Sequence, residues 1–348
     1  MRLDAFDYEL PETLIAQTPV EPRNASRLMV VDPVRQTTED HHFSDLQQFL
    51  VPGDTLIFND TRVMPARLIG HREPTGGRVE VFLLHRVEGD TWETLVQPGK
   101  KARPGTVIRF GEDLTGTVLD TTAFGGRFVE FRYQGLWEEV LERLGETPLP
   151  PYIHEKLLDG ERYQTVYNRA SGSAAAPTAG LHFTKAQMAE LETYGVNLGF
   201  LTLHVGLGTF RPVKTEQIED HVMHREYYSL SEETASLIRD TKRAKHRVIA
   251  VGTTSIRTLE SAAAAKNEIE GKSGWTEIFI YPGYEFKIVD AIITNFHLPK
   301  STLLMLISAF AGREFILHAY QKAVQAQYRF FSFGDAMLLT APAAKAGR

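Results

Sequence analysis

Cysteine is absent from the 348-residue chain, which excludes disulfides, thiolate metal sites and cysteine nucleophiles. Long apolar runs are absent too. The longest, Leu303 to Ile307, falls far short of the roughly 18–20 residues a membrane span needs. Neither sign of charge dominates: 38 basic and 44 acidic residues leave a net charge of −6, so the chain as a whole does not attract nucleic acid. The first residues, MRLDAFDYELPE, lack the basic-then-apolar pattern of a leader, and a cytoplasmic protein is expected. Several signatures are also missing. There is no GKS or GKT phosphate loop and no G-x-S-x-G nucleophile elbow. Gly206-x-Gly208 has Arg211 where a dinucleotide fingerprint requires its third glycine. His221-x-x-His224-x-Glu226 lacks HEXXH spacing and fixes no third ligand, so no metal is expected.

What is present is an ordinary globular composition, 43% apolar and 24% charged, in a chain long enough for two domains. Between Met64 and Tyr133, short runs alternate apolar and polar residues, as in Arg78-Val79-Glu80-Val81-Phe82-Leu83 and Arg127-Phe128-Val129-Glu130-Phe131. Turn residues punctuate these runs at about 10–12 residue spacing, which predicts a small β-barrel or sandwich. The flanks alternate strands and helices. Thr184 with Gln187 fits a capping box opening a helix to Tyr194, and Gly195 closes it. Ser231 and Ser301 open others. The spacing also predicts a short helix over 10–17, a helix on which Tyr163 to Tyr167 lie, a helix from Thr253 to Lys266 and a strand Glu277 to Tyr281. The expected fold is therefore α/β: a layered, sandwich-like domain with an inserted β-barrel domain. The discontinuous catalytic domain takes residues 1–62 plus 150–348, and the insertion takes residues 63–149.

The chemistry concentrates between Ser173 and Val213. Ala175 to Gly180 carries no bulky side chain, so ligand or backbone can approach closely; His182 follows. Asn197 to Val205 reads as a buried strand that delivers His204 at its C-terminal end, before Gly206. Loops in that position are where open α/β sheets place ligands. Asn59-Asp60-Thr61-Arg62 ends another strand. Gly252-Thr253-Thr254-Ser255 sets hydroxyls at a helix N-terminus, suited to a carboxylate or phosphate. Each feature also has an ordinary structural reading as a turn, a cap or a buried, hydrogen-bonded histidine. Arg23 and Arg27 can hold an anion or simply pair with acids. Together, these donors and imidazoles suit binding a polar small molecule and moving protons.

Longer stretches carry a resemblance. Asn59-Asp60-Thr61-Arg62-Val63-x-Pro65-Ala66-Arg67, Ala175 to Phe183 and Leu203-His204-Val205-Gly206-x-Gly208-Thr209-Phe210 are among them. So are His221-x-Met223-His224-x-Glu226, Val251-Gly252-Thr253-Thr254-Ser255-x-Arg257, Pro282-Gly283-Tyr284, Thr294 to Pro299 and Gly334-Asp335-Ala336-Met337. In order from Asp7 to Leu339, the chain resembles the S-adenosylmethionine:tRNA ribosyltransferase-isomerase family of queuosine biosynthesis. Ala174 stands where valine is expected and Phe333 where tyrosine is usual, so no hydroxyl at 333 can be essential.

The resemblance implies a transferase and isomerase that consumes S-adenosylmethionine as a ribosyl donor. The acceptor is 7-aminomethyl-7-deazaguanine at the tRNA wobble position, and the products are epoxyqueuosine-tRNA, adenine and methionine. No further cofactor is implied, and a monomer without membrane attachment is expected. The resemblance suggests His182, His204, His221, His224 and Glu226 for catalysis. Asn59, Asp60, Arg62, Thr178, Gly180, Gly206, Gly208, Thr253, Thr254, Ser255, Arg257, Asn295 and His297 are suggested for substrate binding. Residues 63–133 hold 10 basic and 9 acidic groups, and Lys100, Lys101 and Arg103 there are the expected tRNA contacts. The alternatives are an S-adenosylmethionine-dependent RNA methyltransferase and a non-catalytic RNA-binding protein.

Overall fold

The structure, a computed structural model, describes residues 1–122, 125–155, 157, 159–206 and 213–342. Its contacts divide the chain into two compact units. One comprises Met1–Thr61, Pro150–Ala170 and Ala176–Arg348; the other comprises Arg62–Leu149 and Ser171–Ala175.

The first unit is built on a nine-stranded mixed sheet: β1 Arg27–Asp32, β2 Thr37–His42, β3 Thr55–Asn59, β4 Asn197–Leu203, β5 Glu226–Leu230, β6 Val248–Val251, β7 Lys272–Thr276, β8 Ala291–Asn295 and β9 Ala336–Leu339. The spatial order is β7-β5-β4-β3-β6-β8-β9-β1-β2. Strands β4, β3, β6 and β8 run parallel, and every residue of β3, β6 and β8 is buried. Burial on both faces is why these segments read as continuous apolar runs rather than alternating ones. Helix α1, Lys185–Tyr194, packs Met188 and Leu191 on the face that carries Leu56, Phe58, Ile249 and Ile293. On the other face, α2, Glu232–Arg243, comes so close that a Cβ at Gly199 would lie 2.7 Å from Ile57 Cδ1 and 3.3 Å from Thr234 Cγ2. The remaining helices are α3 Thr253–Ala262, α4 Thr302–Ala311 and α5 Arg313–Gln325. Among the described residues no single helix is long and apolar enough to cross a membrane; α4 and α5 bend by 115° where they meet.

The caps follow the sequence. Thr184, Ser231 and Ser301 accept hydrogen bonds from the amides of Gln187, Thr234 and Leu304, and Gly195 closes α1 at φ 101°. The capping box is only half formed. Gln187 turns inward and donates to the Phe43 carbonyl at 2.9 Å instead of reaching back to Thr184.

Other expectations change. Residues 10–17 form only a 3-10 turn, Glu12–Leu14, because Ile15 bridges to Phe330 and so short a segment cannot repay helix nucleation. Tyr163 ends the turn Gly160–Tyr163, and the residues to Tyr167 are not helical. Helix α3 stops at Ala262, and Asn267, at φ 62°, turns a small hairpin beyond it. The strand near 277 lies five residues earlier, as β7, paired antiparallel to β5. Strand β2, TTEDHH, has no apolar signal because it is a largely exposed edge strand.

The second unit is a closed six-stranded barrel. Arg67–Arg72, Arg78–Glu88, Thr91–Gln97, Arg127–Tyr133, Leu114–Thr121 and Val107–Arg109 pair in that order, and the last returns to the first through His71↔Arg109. Closure needs little bulk where strands meet: a Cβ on Gly70 would lie 2.6 Å from the Phe110 ring. Helix Trp137–Leu144 covers one end, with Trp137 centred 5.6 Å from Trp92 and 5.2 Å from Phe131.

Candidate active site

Strand registers gather most of the candidate residues along one edge of the nine-stranded sheet. The C-terminal ends of β4, β3, β6 and β8 lie there, with the first residues of β5, β9 and β1 beside them. The chain leaves β3 for β4 on one side and then reaches β6 on the other, so strand order reverses at β3. A crevice at such a reversal is the usual ligand position in an open α/β sheet. At roughly 4.8 Å per strand step, the three steps from β4 to β8 separate His204 from Asn295 by about 14 Å along the edge.

At the β8 end, the 3-10 turn Thr178–His182 carries His182 into the interior, stacked on Phe43 at 5.0 Å. Thr178 donates to Asn295 Oδ1 at 3.0 Å, which orients the amide so that Nδ2 donates to His182 Nε2 at 3.0 Å and to the Phe331 carbonyl at 3.1 Å. The imidazole proton therefore sits on Nδ1 and is donated to Ser26 Oγ at 2.7 Å. Burial, helped by the charges of Arg162, Arg23 and Arg329, pushes the His182 pKa down to about 3. His182 is thus neutral, with both nitrogens engaged. A small, open cleft lies beside it, lined by Arg23, Ser26, Arg162, Leu181 and Phe333 among others. Arg23 is held by the carbonyls of Leu181 and Glu161 rather than by acids. Gly180 serves packing: a Cβ there would lie 1.9 Å from the Tyr167 hydroxyl.

At the β4 end, His204 shows the opposite balance. Thr61 Oγ1 donates to the Ala170 carbonyl at 3.3 Å and so accepts from His204 Nδ1–H at 2.8 Å. The lone pair is left on Nε2, which has no hydrogen bond among the described residues. Partial burial lowers the His204 pKa, and Asp60 opposes that shift. Asp60 itself accepts from Arg169 at 2.6 Å and Thr202 at 2.6 Å. Asn59 is committed to the main chain: Nδ2 donates to the Leu203 carbonyl and Oδ1 accepts from the Leu203 amide, each at 2.9 Å. It extends the β3–β4 ladder to the residue before His204.

Next along the edge, Glu226 accepts from the Gly206 amide at 2.9 Å and forms a buried ion pair with Arg257 of α3. Arg257 Nε and Nη2 and Thr254 Oγ1 are buried without hydrogen-bond partners among the described residues. A guanidinium and a hydroxyl left in that state are donors without an acceptor, the condition a bound carboxylate would relieve. Gly252, at φ 86°, allows the turn into α3, and Ser255 is spent on the Val251 carbonyl at 2.8 Å. Thr253 is buried beside it.

Other candidates have different surroundings. His297 bonds Thr294 Oγ1 at 3.0 Å, its backbone N–H donates to Tyr320 Oη, its carbonyl accepts from Tyr8 Oη, and burial holds its pKa at about 3. His221 packs against the Phe279 ring with its pKa lowered, first by burial and then by the nearby His224. Both are only partly buried. Arg62 belongs to the barrel unit, as do Lys100, Lys101 and Arg103, which are exposed there. Gly208 lies outside the described residues. Among the described residues no three of His, Asp and Glu converge as metal ligands. Sequence reasoning passed over Ser26, Thr61 and Arg169 as site residues. Thr61 was within reach, inside the Asn-Asp-Thr-Arg cluster; Ser26 lies 156 residues from its histidine, with no local signal.

An imidazole whose second nitrogen has no partner among the described residues, and buried cationic donors likewise without acceptors among them, at the open edge of a parallel α/β sheet, are the equipment of an enzyme that binds a small polar molecule and moves protons. The chain belongs to the queuosine biosynthesis protein family, whose model matches residues 3–339. It is 59% identical over 340 residues to an S-adenosylmethionine:tRNA ribosyltransferase-isomerase from Symbiobacterium thermophilum, covering 97% of this chain and 100% of that protein. A crystal structure of an S-adenosylmethionine tRNA ribosyltransferase from Thermotoga maritima is 40% identical, covers 96% of this chain and 99% of that one, and superposes with a TM-score of 0.56. The α/β fold with its barrel agrees with the sequence expectation.

Proposed function

We propose that this protein transfers and isomerises the ribosyl group of S-adenosylmethionine onto 7-aminomethyl-7-deazaguanine at the wobble position of tRNA. Epoxyqueuosine-tRNA, adenine and methionine are released. The observation that carries the residue assignment is the difference between His204, whose Nε2 has no hydrogen-bond partner among the described residues, and His182, whose Nε2 is occupied by Asn295. The sulfonium acidifies the adjacent 5′ carbon, and His204 Nε2 takes that proton. Ring opening expels adenine, the neutral acceptor amine attacks the 1′ carbon, and closure of the epoxide ejects methionine. Arg257 and Thr254, with Thr253, hold the methionine carboxylate, and Glu226 keeps the guanidinium oriented. His182 and Asn295 shape the cleft. His221 and His224 remain candidates for the adenine or the amine. Residues 1–62 with 150–348 act as the catalytic domain and 63–149 as the inserted barrel, where Lys100, Lys101 and Arg103 meet RNA phosphates. The working unit is a cytoplasmic monomer needing no metal or further cofactor.

The relatives' names favour this reading over a methyltransferase or a passive RNA-binding protein. Incubation with the modified tRNA and S-adenosylmethionine should release adenine; release of adenosylhomocysteine instead would identify a methyltransferase. Under single turnover, His204→Ala should slow adenine release on the order of 10²–10⁴-fold, as loss of a general base does. An unchanged rate would remove His204 from the chemistry.

A further inference from the structure

On the outer side of the sheet edge beside His204 lies an aromatic surface that the proposed chemistry does not use. Tyr227 of β5 and Trp275 of β7 are direct cross-strand partners. They remain 38% and 50% exposed, although aromatic rings of that size are normally covered. Their rings meet edge to face at 5.7 Å, and the Arg225 guanidinium lies over Trp275 at 5.7 Å. Tyr227 in turn stacks near-parallel on His204, at 6.3 Å and 20°. Ser229 and Ser273, hydrogen-bonded to each other at 2.7 Å, continue the same face with small hydroxyl side chains. Arg225 is paired with Glu277 at 2.9 Å, but both are well exposed, so a phosphate can compete for the guanidinium.

Isolated exposed aromatics are unremarkable. Two in register on a sheet face, with a planar cation over one and the candidate base against the other, form a surface of a particular kind. Flat rings flanked by arginine and hydroxyls on an open sheet are how proteins hold unpaired nucleobases: the rings stack and the cation meets the phosphates. The net charge of −6 leaves such local contacts to do that work.

We propose that Tyr227 and Trp275, with Arg225, form a stacking platform for unpaired loop nucleotides of the tRNA substrate, holding the bases that flank the reacting one as it enters beside His204. This rests on the proposed activity for the identity of the RNA, but not for the surface itself. The alternative occupant of flat rings, the adenine of S-adenosylmethionine, is an outcome of the test.

Fluorescence isolates the platform. Of the 3 tryptophans, Trp92 and Trp137 are buried in the barrel at 6% and 5% exposure, so solvent-exposed emission comes from Trp275. A hairpin RNA with an anticodon-like loop should quench that emission, and the same hairpin with an abasic loop should quench it far less. S-adenosylmethionine alone should leave it unchanged. Trp275→Leu, which keeps an apolar side chain, should weaken hairpin binding roughly 5- to 150-fold, the range for losing one stacked base. Trp275→Phe should restore most of it. In turnover the Leu variant should raise KM for tRNA and leave KM for S-adenosylmethionine unchanged. Equal quenching by the abasic hairpin, wild-type binding by the Leu variant, or quenching by S-adenosylmethionine alone would each overturn the platform. If loop RNA quenches but the wild type releases no adenine, the activity assignment fails and the platform stands.

Discussion

Lowering the pH from 7 to 5 should destabilise the α/β unit by about 4 kcal/mol through His182 and His297 alone. Both are buried neutral, with pKa values pushed from 6.5 down to about 3. The unfolded chain protonates as pH falls through about 6.5 while the folded chain resists, so the unfolded state binds more protons and gains stability. The stabilisation is therefore complete above pH 6.5 and is lost progressively towards the folded value near 3. Each histidine contributes about 2 kcal/mol over this interval, following the rule of about 1.4 kcal/mol per pKa unit. His204 and His221 act in the same direction, because their pKa values are also lowered. Asp335 acts in the opposite one: burial raises its carboxyl pKa, so its contribution recovers as pH falls. Urea unfolding followed by circular dichroism from pH 7 to pH 5 measures the slope. His182→Asn and His297→Gln should each lower stability at pH 7 and flatten the curve by about half. A midpoint that holds constant to pH 5, or variants that keep the wild-type slope, would refute the claim that these imidazoles are sealed and neutral.

Two further outcomes follow from packing and charge. Gly180→Ala forces a Cβ to 1.9 Å from the Tyr167 hydroxyl and should cost about 1–3 kcal/mol in urea unfolding. Tyr167→Phe, which deletes a buried hydroxyl without a hydrogen-bond partner among the described residues, should be nearly neutral alone and recover part of the loss in the double variant; strictly additive effects would place the clash elsewhere. Glu226→Ala should lower stability by about 3–5 kcal/mol, because it strands the buried Arg257 charge, whereas replacing both residues by apolar ones of similar volume should cost much less. Equal losses in the single and double variants, read by thermal unfolding, would show that the ion pair is not the source.

The barrel was legible because alternation between buried and exposed faces is written into consecutive residues, and the helix starts at Thr184, Ser231 and Ser301 because a cap is a local contact. Motifs at strand ends likewise pointed to the sheet edge along which most of the candidate residues gather. Segments whose conformation depends on distant partners were not legible: residues 10–17, held through Ile15 by Phe330, and strand β2, an edge with no core face to mark it.

The sequence by itself determined which chemistry the chain can perform, since it supplies imidazoles, carboxylates and hydroxyls and no thiol. It could not rank His182, His204 and His297, which are the same side chain in similar motifs. Only the tertiary structure separated them, by bringing Ser26 and Asn295 to both nitrogens of one ring and, among the described residues, only Thr61 to Nδ1 of another. The physical reason is that a ring's proton affinity and its free lone pair are set by desolvation and hydrogen-bond partners, and folding draws those from far along the chain.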